Sequence, residues 1–325
     1  MSEIEVGLGT LSASRIGTMN KCGLAFKYQY VNKLPAPYDT GARMFGIAIH
    51  DGVDNWYLEQ DYKTYALRDC VRERWKDLLP PSIWSGVHDM ISLREGCDKV
   101  VEEIKATRDV KSPESTKAFL TSDENQAFKE AKNELLLLCD KSSEVRWAKD
   151  EDPFKAYSKS LDMADMLQER WRPQPQPLAV EQSFMIDIGD FQVRGRIDQL
   201  RQDINLETGE LLDPVLLDIK TGRQLFSQMD AFVQAFCYWQ ALALNPDLPD
   251  TNTFVFFNTR TGKEQRGTID PDRHAALAYR ILNGVGRRIA MAQFEPSYGF
   301  WCKMCDFNDI CASEINLWEG DGVVT

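Results

Sequence analysis

Two runs with an alternating pattern, FQVRGRID at 191–198 and VLLDIK at 215–220, constrain the fold of this chain most strongly. A period of two is typical of β-strands, because successive side chains point to opposite faces of a sheet. Asp198 ends the first run on its polar face, and Asp218 and Lys220 share one face of the second. The two runs therefore predict that two carboxylates and a lysine converge on one sheet surface.

Helical and hairpin patterns surround these strands. The period of two begins near residue 178, and the turn-rich ETGE at 207–210 joins the two strands. The order of patterns is helix, strands, helix, hairpin and helix, which predicts an α/β fold. Apolar periodicity and capping residues predict helices at 12–31, 41–60, 227–244 and 272–293, and a Thr-Gly-Lys turn predicts a hairpin within 251–270.

The middle of the chain differs in composition from its two ends. Residues 61–177 are rich in charge and helix formers, which predicts a helical insertion or subdomain. On either side we expect N-terminal helices over 1–60, a core over 178–300 and a cysteine-rich segment over 301–325. Residues 1–60 and 178–325 are expected to form one domain.

Composition limits the classes of partner. The chain has 325 residues and a net charge of −12, which argues against a protein that coats DNA through bulk positive charge. Arg194, Arg196 and Arg223 nevertheless provide local positive charge near the predicted strands for contacts with a phosphate backbone. No run approaches the roughly 18 apolar residues of a membrane span, and the N-terminus lacks a signal-peptide pattern, so we expect a cytoplasmic protein without a membrane partner.

The convergent carboxylates indicate a site for a hard divalent cation. Mg²⁺ prefers oxygen ligands, which Asp198, Asp218 and the backbone carbonyl of Ile219 would provide, and His50 is the further ligand we expect. A bound cation would activate water and stabilise charge on a phosphoryl oxygen, and Lys220 would orient that water or neutralise the transition state.

Two further polar residues belong to this constellation. Gln234 and Tyr238 are four residues apart in the helix predicted over 227–244, so they share one helical face.

Together these residues resemble a known family. His50, GRID with Asp198, DIKTG with Asp218 and Lys220, and the pair Gln234 and Tyr238 are similar to the motifs of the RecB-like branch of the PD-(D/E)XK nucleases. The resemblance covers about 1–57 and 178–315. It implies a restriction-endonuclease-like core, which is a central mixed sheet flanked by helices, and it places Gln234 and Tyr238 beside the active site. It also implies cleavage of DNA with Mg²⁺ or Mn²⁺, commonly by an exonuclease acting on single strands. Family members serve recombination, repair, CRISPR adaptation and phage DNA metabolism, which implies possible protein partners in recombination or CRISPR adaptation.

The cysteines extend the resemblance. A C-x2-C-x5-C pattern near the C-terminus with one distant cysteine is compatible with Zn²⁺ or an iron-sulfur cluster. The sequence is most similar to the iron-sulfur members, the CRISPR-associated Cas-four exonucleases and the AddB-type nuclease domains. That resemblance implies a [4Fe-4S] cluster that staples the chain ends through Cys22, Cys302, Cys305 and Cys311. It departs from the family where a glycine follows the first of these cysteines in place of the usual proline. The remaining cysteines are interpreted as ordinary thiols: Cys70, Cys97, Cys139 and Cys237.

Three alternatives stay open at this point. A non-catalytic DNA-binding or scaffolding protein with a zinc staple would keep the fold, but the three strand residues argue against it. The dipeptides His50-Asp51 and His88-Asp89 suggest a phosphohydrolase of the HD type, which would leave those strand residues without a role. A restriction-type endonuclease would share them.

Several aromatic residues lie near the cysteines in the sequence, and they would either stack on unpaired bases or belong to the core. They are Phe26, Tyr28, Tyr30 and Trp301.

Overall fold

The computed structural model describes residues 10–36, 39–107, 122–141, 145–147, 151–222 and 228–314. The strands described are β1 Thr10–Leu11, β2 Asp39–Thr40, β3 Val145–Arg146, β4 Ala179–Ile188, β5 Phe191–Arg201, β6 Val215–Lys220, β7 Thr253–Asn258 and β8 Lys263–Thr268. The helices described are Ala13–Lys21, Gly23–Phe26, a π-helix at Lys27–Val31, Gly41–Leu58, Leu67–Leu78, Pro81–Thr107, Ser122–Lys141, Pro153–Trp171, Gln228–Ala243, Pro271–Ala290, a 3₁₀ helix at Phe300–Met304, and Asn308–Glu314.

The chain divides into two units, and the division differs from the one expected from sequence. The first unit is Met1–Pro37 with Gln174–Thr325, and the second is Tyr38–Pro173. The expected segment 1–60 is therefore split after residue 37. The helix Gly41–Leu58 packs against Leu67–Leu78 and Pro153–Trp171, because its apolar residues are buried there.

A mixed six-stranded sheet forms the first unit. Its order is β1-β5-β6-β7-β8, and β4 also pairs with β5. The β1–β5 and β6–β7 pairs are parallel, and the β4–β5, β5–β6 and β7–β8 pairs are antiparallel. This confirms the predicted mixed sheet, the hairpin and the strands at both polar motifs.

Three helices cover this sheet and form the core with it. The first begins at an N-cap, Ser12, whose side chain accepts from the backbone N–H of Arg15. The last begins at Asp270 followed by Pro271, a favoured pair at a helix start. Apolar residues of Ala13–Lys21, Gln228–Ala243 and Pro271–Ala290 pack with those of β4 and β5 into one buried cluster. The helix Gln228–Ala243 is thereby fixed over the polar ends of β5 and β6.

The second unit is predominantly helical, as predicted for 61–177. A short parallel pair, β2 and β3, accompanies its helices. The core of this unit holds Trp56 and Trp75, neither of which is exposed, and the indole of Trp75 donates to the hydroxyl of Ser160 at 2.7 Å. In the part of the chain that is described, no helix is both long and apolar enough to cross a membrane.

Candidate active site

The two aspartates face each other where β5 and β6 part. The last pair of that ladder is Gln199 with Leu217, and continuing the register by one place sets Asp198 opposite Asp218. At this place the backbone N–H of Ile219 donates to Asp198 Oδ2 at 2.8 Å. A side-chain carboxylate thus accepts from the β6 backbone just beyond the last ladder pair, and both acids lie at the same end of the strand pair.

Asp218 is the buried centre of the site, with 3% of the residue exposed. Its Oδ1 accepts from Gln234 Nε2 at 2.6 Å and from the hydroxyl of Tyr238 at 3.0 Å. Its Oδ2 forms an ion pair with Lys220 Nζ at 2.5 Å. Because the ammonium group already compensates this oxygen, a metal cation held by Asp218 would share the carboxylate with Lys220 or displace it.

Gln234 connects the lysine to the carboxylate. Its Oε1 accepts from Lys220 Nζ at 3.1 Å, and its Nε2 lies 2.6 Å from the oxygen of Tyr238. Lys220 Nζ also lies 5.3 Å from the ring centroid of Phe256 on the neighbouring β7. Because a helix repeats every 3.6 residues, the spacing of four brings Gln234 and Tyr238 to the same carboxylate oxygen.

Burial and charge alter the proton affinities in this network. Burial, and then the charge of Asp218, raises the pKa of Asp198 well above its usual value of 3.8. The N–H of Ile219 and the charge of Lys220 oppose this rise. Burial, followed by the charges of the two aspartates, also raises the pKa of Tyr238 well above 10.0, so its phenol stays protonated and donates. A cation bound between the acids would reverse the repulsion between them.

Sequence analysis missed a third carboxylate, Glu181. On β4 it occupies the place opposite Asp198, between the pairs Val180 with Gln199 and Gln182 with Ile197. Its φ of 50° is in the left-handed region, which is uncommon for a non-glycine residue within a strand. Its side chain, 15% exposed, pairs with Arg196 at 2.7 Å. The register of β4 on β5 is what places Glu181 opposite Asp198, and the sequence alone does not give that register.

The predicted metal ligands are brought together in part. Within the described residues, no group of three or more His, Cys, Asp or Glu side chains is gathered as a metal site. Asp198 and Asp218 provide carboxylate oxygens that fit a hard cation, and they would hold it. His50 lies in the helix Gly41–Leu58 of the second unit, so its role as a ligand stays a prediction, as does that of the Ile219 carbonyl.

The three arginines predicted to contact DNA have different positions. Arg194 is exposed on β5. Arg196 is also exposed but is paired with Glu181, which offsets its charge. Arg223 lies outside the described residues. Their contacts with DNA stay predictions.

The alternative HD-type dipeptides are placed in the second unit. Asp51 Oδ2 lies 2.6 Å from Arg74 Nε in an ion pair, and His88 and Asp89 are exposed on the helix Pro81–Thr107.

The four cysteines of the predicted cluster line one cavity of about 1020 Å³ in the first unit. Burial, with smaller contributions from Cys22 and Cys302, raises the pKa of Cys305. Four thiols around one cavity are the donor set of a [4Fe-4S] cluster or of Zn²⁺, although they are not drawn together as a metal site. The cavity also reaches Lys220 and Gln234.

The other cysteines have environments typical of ordinary thiols. Cys70 and Cys237 are buried, and burial raises their pKa to about 11 and about 12. Cys139 is half-buried, and the side chain of Cys97 lies outside the described residues.

A close backbone approach explains the glycine that follows Cys22. A Cβ added at Gly23 would lie 2.9 Å from the backbone of Phe294, closer than such atoms approach. The residue therefore permits the short helix Gly23–Phe26 to pack against the chain that leads into the C-terminal cysteines. The departure from the usual proline has a structural reason.

Aromatic residues near the cysteines fall into two groups. Phe26 and Tyr28 are 3% exposed and belong to the core. Tyr298 and Phe300, which sequence analysis did not single out, line the cavity and are 62% and 70% exposed. Sequence alone gives no signal for this difference, because all four lie in aromatic-rich segments.

Comparison with known proteins agrees with this geometry. A family model described as the PD-(D/E)XK nuclease superfamily matches residues 10–123 and 120–312. The chain belongs to the PD-(D/E)XK nuclease superfamily. Membership confirms the resemblance drawn from the motifs and is consistent with the RecB-like branch, and nucleases of this superfamily typically use Mg²⁺ or Mn²⁺.

Two other comparisons add little to that assignment. A search of the curated proteins finds no match. A similar solved structure, titled "Crystal structure of SSO0001", is 17% identical and covers 50% of this chain and 72% of that chain, with a TM-score of 0.29. At that TM-score nothing about this PD-(D/E)XK protein is drawn from the likeness.

Proposed function

We propose that this PD-(D/E)XK protein is a divalent-metal-dependent DNA exonuclease that acts on single-stranded ends. The observation that carries the proposal is the network around Asp218, which joins Lys220, Gln234 and Tyr238 and faces Asp198. Two acids and a lysine at the end of a strand pair have the charges needed to bind a cation beside a phosphodiester.

Each side chain has a distinct task in this proposal. Asp198 and Asp218 would hold Mg²⁺ or Mn²⁺, which when bound supplies an activated water and neutralises phosphoryl charge. Lys220 directs its ammonium group toward the negative charge that develops on the phosphate. Gln234 fixes that ammonium by accepting from it, and Tyr238 holds the carboxylate of Asp218 by donating to Oδ1.

The proposal includes a second metal centre with a structural role. Cys22, Cys302, Cys305 and Cys311 would hold a [4Fe-4S] cluster, with zinc as the alternative, because all four line the same cavity. The cytoplasmic location, the role in recombination, repair, CRISPR adaptation or phage DNA metabolism, and any protein partner in recombination or CRISPR adaptation are parts of the proposal that rest on the resemblance.

A cleavage assay with four DNA forms tests the proposed function. End-labelled linear and circular DNA, each single- and double-stranded, are incubated with purified protein in Mg²⁺, Mn²⁺ or EDTA. We expect mononucleotides or short products from linear single strands, and no cleavage in EDTA. Cleavage of circular single strands at the same rate would make the protein an endonuclease. Binding without cleavage of any form would make it a non-catalytic DNA-binding protein.

A further inference from the structure

The cavity that contains the cysteines extends beyond them, and the side chains of its other walls are complementary to a nucleic-acid strand. Part of its volume of about 1020 Å³ is the space among the cysteines that the proposed cluster or zinc ion would fill, and the rest lies along the other walls. One end reaches Lys220 and Gln234 of the candidate active site. A ligand in this cavity therefore has direct access to the proposed reaction centre.

Exposed aromatic rings form part of the lining. Among the aromatic side chains that the structure describes, Tyr298 and Phe300 are the most exposed. Trp301 is half-buried beside them, its indole donating to the carbonyl of Ser297 at 3.0 Å and its ring 5.3 Å from that of Phe300. A tethered ring next to the exposed ring of Phe300, with the exposed Tyr298 in the same lining, provides a surface on which flat ligands stack.

A polar helical face forms another part of the lining. Ser14, Gly17, Thr18 and Lys21 are spaced by three, one and three residues, so they share one face of the helix Ala13–Lys21, and all line the cavity. A Cβ added at Gly17 would meet nothing within 4 Å, so this face borders open space. The ammonium group of Lys21 on this face is a donor for phosphate oxygens, whereas the Thr18 hydroxyl donates to the carbonyl of Ser14 at 3.0 Å.

The lining of the cavity carries less negative charge than the chain as a whole. Its cations are Lys21 and Lys220, and its acid is Asp306. The chain as a whole has a net charge of −12. Because Lys220 is paired with Asp218 and Lys21 is balanced by Asp306, these groups leave the lining close to neutral, so it repels a phosphate backbone less than the acidic chain as a whole.

We propose that this cavity binds single-stranded DNA, with unpaired bases stacked on Tyr298 and Phe300 and the phosphate backbone following the helix Ala13–Lys21 toward Lys220. Duplex DNA fits the site poorly, because its bases are already stacked on each other and present only their edges. This inference rests on the proposed function and deepens it by assigning the substrate a binding surface outside the catalytic residues.

The test is a comparison of two proteins on two ligands. A fluorescent single-stranded oligonucleotide and an abasic one of equal length are titrated in EDTA, which withholds the catalytic metal. The variant carrying Tyr298→Ala and Phe300→Ala should bind the normal oligonucleotide weaker by roughly five- to one-hundred-fold for each stacked base lost. Its affinity for the abasic oligonucleotide should equal that of the unaltered protein, because only the bases have lost their partner.

Three controls keep the result interpretable. Phe300→Trp should keep or strengthen binding, because an indole stacks at least as well as a phenyl ring. Met291→Ala removes a side chain of similar exposure, 66%, that does not line the cavity and should leave binding unchanged. Metal content and the midpoint of thermal unfolding report whether the change next to Cys302 has disturbed the cysteines.

Specific outcomes contradict the inference. Equal affinity of the double variant and the unaltered protein for the normal oligonucleotide would overturn it, and so would an equal loss on both oligonucleotides. Cleavage of single strands by the unaltered protein in Mg²⁺ is measured in parallel. If cleavage is present while stacking is not, the inference fails alone; if cleavage is absent while base-dependent binding is present, the proposed nuclease function fails alone.

Discussion

Lys220 and Asp218 lie on one face of β6 with Nζ 2.5 Å from Oδ2, in an ion pair that is largely removed from solvent. The side chains are 20% and 5% exposed. Removal of one partner would leave the other charge without compensation in a buried place, which is destabilising. Substitutions that test their catalytic role must therefore preserve shape and be accompanied by a measurement of folding.

Asp218→Asn and Lys220→Gln are expected to lower the rate of DNA cleavage by a hundredfold or more. The first removes a charged metal ligand and the second removes the cation beside the reacting phosphate. Single-turnover rates in Mg²⁺ measure the loss, and circular dichroism with thermal unfolding verifies that each variant is folded. Lys263→Gln on the exposed part of β8 is the matched control. Wild-type rates in folded Asp218→Asn or Lys220→Gln would show that these residues are not catalytic.

Tyr238→Phe is expected to lower cleavage by about ten- to one-hundred-fold without abolishing metal binding. The phenol donates to Asp218 Oδ1 at 3.0 Å, and a hydrogen bond to a charged group contributes about 1.5–3 kcal/mol. Tyr279→Phe is the control, because its hydroxyl bonds Gln240 at 3.4 Å in the same unit but outside the site. The comparison requires both rate and Mn²⁺ affinity. Equal rates for the two variants would assign Tyr238 to packing alone.

The parts of the fold governed by local pattern could be predicted from the sequence. Alternation identified β5 and β6, a Thr-Gly-Lys turn identified the β7–β8 hairpin, and the spacing of four placed Gln234 and Tyr238 on one helical face. Each of these depends on residues within one element or one turn. Alternation also placed the two acids on the polar faces of their strands, whereas their facing each other depends on the register of β5 on β6.

Features that depend on contacts between distant segments were missed. The helix Gly41–Leu58 packs its apolar face on helices that follow it in the chain, and no local pattern indicates that grouping. Glu181 required the register of β4 on β5, and Gly23 required its approach to Phe294. The exposure of Tyr298 and Phe300 likewise depends on packing that no periodicity encodes.

Asp198→Asn is expected to stabilise the metal-free protein, by an amount that grows with pH. Burial, and then the charge of Asp218, raises the pKa of Asp198 well above 3.8. Between about pH 4 and that raised pKa the folded state binds more protons than the unfolded state, so the free energy of unfolding falls as pH rises. Asparagine has no charge to lose and removes this dependence.

Urea denaturation in EDTA from pH 4 to pH 8 measures the difference between Asp198→Asn and the unaltered protein. The two should be equally stable near pH 4 and diverge as pH rises. Asp213→Asn, at an exposed position, is the control and should show no such divergence. A difference that is constant with pH would mean that Asp198 titrates normally.

Gly23→Ala is expected to destabilise the first unit by about 1–3 kcal/mol, the usual cost of overpacking. The added methyl group would lie 2.9 Å from the backbone of Phe294, which cannot move as a side chain does. Gly284→Ala is the control and is expected to stabilise the first unit. A Cβ added there meets nothing within 4 Å, and alanine in a helix is more favourable than glycine by about 0.5–1 kcal/mol. Chemical denaturation of both variants checks the prediction. A stabilised Gly23→Ala would contradict the close approach.

Serine substitution of Cys22, Cys302, Cys305 or Cys311 is expected to release the proposed cluster and to destabilise the first unit as a whole. Cys22 and Cys302 are 280 residues apart in the chain (302 − 22), so a centre that joins them closes a long loop and restricts the unfolded state. Anaerobically purified protein should be brown and contain about four irons per chain.

Cys237→Ala should keep all of this iron, because that thiol is buried in the apolar core with its pKa raised to about 12. Iron and zinc are measured by mass spectrometry, and stability by thermal unfolding. Stoichiometric zinc in a colourless, active protein would replace the iron-sulfur cluster with a zinc staple. Retention of the metal in all four serine variants would exclude these cysteines as its ligands.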